Sequence, residues 1–593
     1  MKNLAQFAPR VVLLLVITGL LLAGCDQFWI DSADGIAERI ITKRQQQAVG
    51  TNSDFRPGAE HGDRTPTGDS MYSFTPHPID NEIPDAFRRT KPPPSTTPTA
   101  SGPAPASTNG ATVDSNGITP LGDRTYTTTN GLPVGSNGLQ PLSLSDALRY
   151  AFHHAWDFQT QKEELYLSAL SLMTERQLWT PQVVHEIQTQ YANYGQVRDF
   201  DQAMTAVSDL SVSQRLPYGG EVAARLVNTL MRDILAHTTS GETGQAILEA
   251  NIPLLKGAGK VAFETRYQAE RDLIYAVRRF ERNRHLLVVD VAGDFFSLLA
   301  TKAEIESAKL ALISATEDQQ RTLAQVNKGR LTNVEGGRAE TQMLRSRNEL
   351  INAQVRYQNT LDRFKIRIGM PTTEPIDAVE EQLAVSEPDI EQDEAIETAL
   401  KYRLDLLNTL DGVDDARRGV RIAQNNFLPQ LDLSGRATMS TDPNQKNSMS
   451  YNTERTLWQA FVNLEVPIDR REERNVFRAS LIELRRAERA FTQQQDVVQA
   501  DVRDALRLLA TARESIRIQE ANIRVNETRE SQARALLDAG WLSSTIDLFD
   551  AQTDLQRSRN DYADAIAQYR LSILQLLLQT GVLRVDDDGH LRN

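Results

Sequence analysis

Two periodicities alternate along the chain from about residue 142 onward. In QLDLSGRATMST, the apolar or small residues Leu431, Leu433, Gly435, Ala437 and Met439 alternate with Asp432, Ser434, Arg436 and Thr438. Trp458, Ala460, Val462, Leu464 and Val466 repeat the pattern opposite Gln459, Asn463 and Glu465, as do Ala246, Leu248, Ala250 and Ile252 opposite Glu249 and Asn251. A period of two predicts strands with one apolar and one polar face. Pro253 and Pro467 close these strands where a ladder donor is no longer needed, and mark the strand-to-helix transitions. SQRLPYGGEV (213–222) reads as strand, turn, strand, and is expected to be an enlarged loop or accessory hairpin within 182–252.

After each of these prolines the period becomes helical. Val498, Val502, Ala505, Leu509, Ala512 and Ile516 follow alternating steps of four and three, a coiled-coil seam. No proline interrupts Lys260–Lys328 or Arg471–Ala539. Each run predicts a helix of roughly 100 Å at 1.5 Å rise per residue. The flanking helices, predicted over Leu144–Trp179, Val334–Ile368, Asp393–Phe427 and Thr545–Thr580, are half as long. Two of these laid end to end match one full-length helix. The predicted fold is mainly α with β, an elongated antiparallel helical bundle capped by four strands.

The plan occurs twice. Asp146-Ala147-Leu148 and Trp179-Thr180-Pro181-Gln182 return as Glu394-Ala395-Ile396 and Phe427-Leu428-Pro429-Gln430 at one separation, 248 residues (Pro181 to Pro429). Pro253 and Pro467 lie 214 apart, whereas Ala339 and Ala551, and Gly369 and Gly581, lie 212 apart. The drop from 248 to 214 places a 34-residue insertion between Pro181 and Pro253. Near-constant register elsewhere indicates a duplicated unit. The chain is expected to divide into 1–24, a signal peptide; 25–140, a disordered Pro/Ser/Thr-rich linker; 141–375, the first repeat; and 376–593, the second repeat and C-terminal tail.

Composition narrows the function. A net charge of -14 over 593 residues argues against a nucleic-acid partner, which requires a basic footprint. The single cysteine, Cys25, excludes an internal disulfide. It follows a basic start (Lys2, Arg10) and the apolar run Val11–Leu22, in the sequence Leu22-Ala23-Gly24-Cys25. This segment resembles the lipobox of bacterial lipoproteins, which implies cleavage before Cys25 and acylation of its thiol and new amino group. Asp26 is the one discordant residue, since in enterobacterial lipoproteins an aspartate there resembles an inner membrane retention signal. Either sorting follows other rules, or barrel insertion overrides the tag. KPPPSTTPTASGPAPASTNG (91–110) has almost nothing to bury and reads as an extended tether.

No later apolar run reaches the roughly 18 residues of a spanning helix, so any further membrane crossing is by β-barrel. Four strands cannot close, because a barrel filled by its own side chains takes about eight. Open edges are not tolerated in lipid, so strands in a membrane require several chains to pool them.

LSLSDALRYA, NIPLLKGAG, NFLPQLDLSG, VNLEVPI and the closing DLFDAQTDLQRSRNDYADAIAQY, in this order and within a duplicated plan, resemble the TolC-like outer membrane factor (outer membrane efflux protein) family, lipoprotein branch, over about Leu142–Leu583. The resemblance implies a homotrimer with four strands per protomer, one twelve-stranded outer membrane barrel, and helices that continue as a tunnel across the periplasm. It further implies the exit duct of a tripartite efflux pump or type I secretion system, partnered by a periplasmic adaptor and an inner membrane transporter.

Acids at the inner helical turn ring the periplasmic entrance in that family, and the matching positions are Asp547 and Asp550. Three copies would place six carboxylates around one constriction, favouring cations. The competing reading is that Asp547 stabilises a helix N-terminus behind Ser543, Ser544 and Thr545. Glu335 and Arg338 occupy the equivalent places in the first repeat, with Arg338 either latching the tip through an acid or solvated. Gly329 and Gly540 precede the tip turns; the resemblance makes them adaptor-docking positions, and helix capping by glycine accounts for them equally.

LLKGAGK (254–260) fails as a phosphate loop, because Leu254 stands where the earlier glycine is required and Val261 where Ser or Thr is required. His153 and His154 are adjacent and share no helix face, and none of the eight histidines shows metal spacing. No enzyme and no cofactor is expected. The competing function is a lipid-anchored periplasmic scaffold or adaptor without a channel, which would have no use for strands with a lipid-compatible face. A cell-surface receptor using the enlarged first hairpin is a third.

Overall fold

The computed structural model describes residues 26–48, 140–193, 202–233, 240–380, 386–442, 450–539, 544–586 and 589–592. The signal peptide, Cys25, the tether from 49 to 139 and Gly540 lie outside them. In chain order the elements are α1 (Asp26–Ala48), β1 (Gln140–Leu142), α2 (Leu144–His154), α3 (Trp156–Gln177), β2 (Gln182–Asn193), β3 (Gln202–Arg215), β4 (Glu221–Asp233) and β5 (Ser240–Pro253). There follow α4 (Glu264–Asn327), α5 (Asn333–Ile368), β6 (Ile376–Ala378), α6 (Gln392–Tyr402), α7 (Leu404–Asn426), β7 (Gln430–Thr441), β8 (Tyr451–Glu465), α8 (Arg471–Asp538) and α9 (Ile546–Thr580). Two short strands, β9 (Arg584–Val585) and β10 (Leu591–Arg592), close the chain.

The chain forms two compact units. The first takes in Glu164–Arg278 and Leu406–Gln494 and holds a six-stranded sheet in the order β2-β3-β4-β5-β7-β8, every neighbouring pair antiparallel. The expectation of four strands is corrected to six. The inserted stretch does not fold away as an accessory hairpin. It enters the sheet as β3 and β4 between β2 and β5, because its own alternation (Met204, Ala206, Leu210 and Val212; Val222, Ala224, Leu226 and Leu230) carries the apolar face onward.

The helical segments of this unit are held by charge as well as packing. Arg278 is fully buried and donates to Asp411 Oδ2 at 2.5 Å, while Arg271 pairs with Asp415 at 2.5 Å and donates to the Asp411 carbonyl at 2.8 Å. Glu270 receives Arg176 of α3 at 3.2 Å and Arg44 of α1 at 3.1 Å. A helix over 26–48 corrects the reading of a linker beginning at residue 25. The segment lacks proline, and Ala37, Ile41, Gln45 and Ala48 fall buried on one stripe.

The second unit takes in Arg279–Asp405 and Gln495–Asn593, with the described residues from 140 to 163. The predicted seam Val498, Val502, Ala505, Leu509, Ala512 and Ile516 is buried along α8. The two helices expected over 144–179 and 393–427 are each broken once, at Ala155 and Arg403, which take extended backbone. A glycine-capped helix end packs against each break. Gly369 and Gly581 cap α5 and α9 at φ 76° and 74°, and a Cβ on Gly369 would sit 2.0 Å from the His154 carbonyl oxygen. A Cβ on Gly581 would meet the Tyr402 carbonyl group at 3.0 Å. Each glycine thus admits a helix end against the backbone of a break.

Candidate functional site

The sheet register sorts its side chains into two faces. Val183, Val212, Ala224, Leu248, Ala437 and Trp458 form one row across all six strands. The row is uncovered: Val183 is 66% exposed, Leu248 51% and Trp458 75%. The opposite face carries the row Gln182, Ser213, Ala223, Glu249, Arg436 and Gln459. On that face Arg225 pairs with Asp209 between β4 and β3, and Arg436 Nε donates to Glu249 Oε1 at 2.6 Å between β7 and β5. Polar groups on the apolar face include His185 and Ser208, satisfied by each other at 3.0 Å, and Asn228, whose Oδ1 accepts from the Tyr451 hydroxyl at 3.5 Å. One sheet therefore presents hydrocarbon on one side and a hydrated, charged surface on the other.

The strand-to-helix transitions fall where the prolines predict. Pro253 is the last residue of β5, and Pro467 stands two residues beyond β8. Leu254-Lys260 forms the turn into α4, with Gly257 and Gly259 at φ 77° and 76°. Gly257 N–H donates to Asn425 Oδ1 at 2.8 Å, so the segment is a junction rather than a phosphate loop.

The predicted entrance residues come together in the second unit, with unequal roles. Glu335, in the first turn of α5, is 5% exposed, and its Oε2 accepts the Thr545 backbone N–H at 2.9 Å and hydroxyl at 2.7 Å. Its Oε1 accepts Arg338 Nη1 at 2.5 Å. Burial opposes ionisation of Glu335, but the donors of Thr545 and the Arg338 guanidinium outweigh it and hold the carboxyl below its ordinary value. Arg338 thus pairs with an acid of its own helix while its side chain stays exposed.

Asp547 and Asp550, one turn apart on α9, are exposed, while the intervening Leu548 and Phe549 are buried against Ala339, Ala533 and Leu537. Gly329 takes φ 71° after α4 with its N–H on the Val326 carbonyl, the geometry of a helix cap. Gly540 lies outside the described residues.

Sequence reasoning missed Thr545 as the partner of Glu335, and missed the Asp209–Arg225 pair. Both depend on register between distant segments, although a basic and an acidic residue on the polar side of an alternating run was a usable signal. Asp318, 3% exposed, was also missed; it receives Arg534 at 3.2 Å and Gln552 at 2.5 Å. Among the described residues no cluster of His, Cys, Asp and Glu is arranged to hold a metal, and no helix is long and apolar enough to cross a membrane.

Residues 395–582 match the family model of the outer membrane efflux protein. The fold is that of solved outer membrane channels. The Campylobacter jejuni CmeC outer membrane channel is 14% identical, with 74% of this chain and 85% of that one covered at a TM-score of 0.56. The outer membrane protein VceC of Vibrio cholerae is 12% identical, with coverage of 74% and 96% and a TM-score of 0.54. For the open state of the Neisseria gonorrhoeae MtrE outer membrane channel the values are 13%, 74%, 89% and 0.53. A comparison with curated proteins gave no match. Residues 395–582 thus resemble an outer membrane efflux protein domain.

Proposed function

We propose that this chain is the outer membrane exit duct of a tripartite efflux pump or a type I secretion system, a passive channel built from three copies. The observation that carries the reading is the two-faced sheet: an uncovered apolar row from Val183 to Trp458 backed by the charged pairs Asp209–Arg225 and Glu249–Arg436. A periplasmic scaffold has no use for such a sheet, whereas a barrel wall needs lipid on one side and water on the other. The family match over 395–582 supports the same reading.

In this account Cys25 carries the lipid anchor and the α-helices form the periplasmic tunnel. Asp547 and Asp550 of three copies ring its entrance, and the turns at Gly329 and Gly540 receive the adaptor, which links the duct to an inner membrane transporter. The matched glycine caps at 369 and 581, each against a helix break, support descent from a duplicated unit.

Reconstitution of the full-length protein into liposomes tests the reading by osmotic swelling. Membrane-inserted oligomers carrying Glu335→Ala to loosen the entrance are expected to admit small sugars. Inserted oligomers that leave the vesicles impermeable would count against a channel and favour a scaffold.

A further inference from the structure

We infer that β2 and β8 are docking edges for second copies of this chain, and that three copies close an eighteen-stranded barrel rather than a twelve-stranded one. The inference rests on the trimeric-channel reading above and concerns what the insertion does to it.

Two of the six strands, β2 and β8, have a neighbour on one side only, and they do not pair with each other. Both edges carry the apolar face outward: Ile187 and Tyr191 on β2 are 41% and 59% exposed, and Val462 and Leu464 on β8 are 70% and 60% exposed. An edge with such a face leaves a row of N–H and C=O groups unpaired in hydrocarbon, at several kcal/mol for each group. The direction of the strands fixes the remedy. With six strands, all neighbours antiparallel, β2 and β8 run in opposite directions. The β8 of one copy can therefore add antiparallel to the β2 of the next, and repetition of that contact closes a ring.

The inserted pair belongs to this wall. β3 pairs with β2 from Gln182↔Ser213 to Asn193↔Gln202, and with β4 from Ala203↔Asp233 to Arg215↔Glu221, both without a register shift. The β3–β4 turn is keyed to the start of α4. Gly259 N–H donates to the Tyr218 carbonyl at 2.8 Å, and a Cβ on Gly219 would lie 2.7 Å from the Gly257 carbonyl oxygen. β3 and β4 add sheet but no helix, because α3 and α4, which adjoin β2 and β5, remain in direct contact through Arg176 and Glu270 at 3.2 Å.

The widths agree. At a spacing of about 4.8 Å and a tilt of about 40°, six strands cover about 38 Å of perimeter, against about 25 Å for four. The four helices of the same unit lie in the order α3, α4, α7, α8, linked by Arg176–Glu270, Arg271–Asp415 and Arg417–Glu488. At about 9.5 Å between axes they also cover about 38 Å. Six strands therefore match the width of the four helices more nearly than four strands do.

Cryo-electron microscopy of the detergent-extracted full-length protein counts copies and strands separately. Expected are three copies and eighteen strands joined β8 to β2, a barrel about 1.5-fold wider than one of twelve strands. Three copies with twelve wall strands, and β3–β4 folded outside, would overturn the inference while leaving the channel standing. Two copies sharing twelve strands would also overturn it. An isolated monomer would overturn the channel reading together with it.

Discussion

Glu335 and Thr545 join the two turns on which the entrance reading depends. The carboxylate at the start of α5 accepts both the N–H and the hydroxyl of Thr545 at the start of α9, at 2.9 and 2.7 Å. A buried acid thus occupies the place of a helix cap for α9, and Thr545 itself makes no side-chain cap bond. Glu335→Ala removes the acceptor of the buried Thr545 N–H and hydroxyl, while the exposed Arg338 returns to solvent. The expected cost is about 2–3 kcal/mol, with Glu335→Gln smaller. Hydrogen exchange should show faster exchange over the first turns of α9. The pH dependence follows from the lowered pKa: the contribution is complete above the ordinary carboxylate range and is lost as pH falls through the depressed folded value.

Arg278 and Asp411 form the most deeply buried ion pair described, with relative exposures of 0% and 2%. Asp411→Ala strands a guanidinium in the core and is expected to cost about 3–5 kcal/mol. The double variant Arg278→Met/Asp411→Leu should recover most of that loss, because the buried guanidinium of Arg278 goes with its partner and the buried Arg271 keeps Asp415. Thermal unfolding of the four members of the cycle measures the coupling directly.

How much of this was legible beforehand differs by element. The seam from Val498 to Ile516 and the face from Leu433 through Trp458 were read correctly, since one period runs unbroken through each. β3 and β4 were demoted to a hairpin because Asp209, Arg225 and several small residues thin their apolar signal, and only pairing with β2 and β5 places them. The breaks at Ala155 and Arg403 carry neither proline nor glycine. The helix ends that pack against them are capped by Gly369 and Gly581, more than a hundred residues downstream. The sequence places Glu335 at the position equivalent to Asp547 in the first repeat. Its acceptor role depends on a residue 210 positions away, which no local pattern reports.

His285 supplies a pH test away from the sheet. Burial, followed by the nearby charges of Arg584, Arg284 and Arg282, lowers its pKa to about 3. The folded protein therefore keeps the imidazole neutral where the unfolded chain would protonate it near 6.5. Its contribution is complete above pH 6.5 and is lost progressively as pH falls toward 3. In melts between pH 7 and pH 4, His285→Gln should lose a smaller fraction of its stability than the parent protein. An unchanged slope would show that His285 is not the group responsible.

The most direct measurement of the central claim is single-channel recording of the purified full-length protein in a planar bilayer, with and without Glu335→Ala, and with Asp547→Asn/Asp550→Asn. The account predicts discrete conductance steps, more frequent once the Glu335 contact is removed, and a cation preference that falls when the exposed aspartates are neutralised. Steps with unchanged selectivity would keep the channel and return Asp547 and Asp550 to ordinary helix-start acids. A correctly inserted oligomer that gives no steps, even with the Glu335 contact removed, would contradict the account.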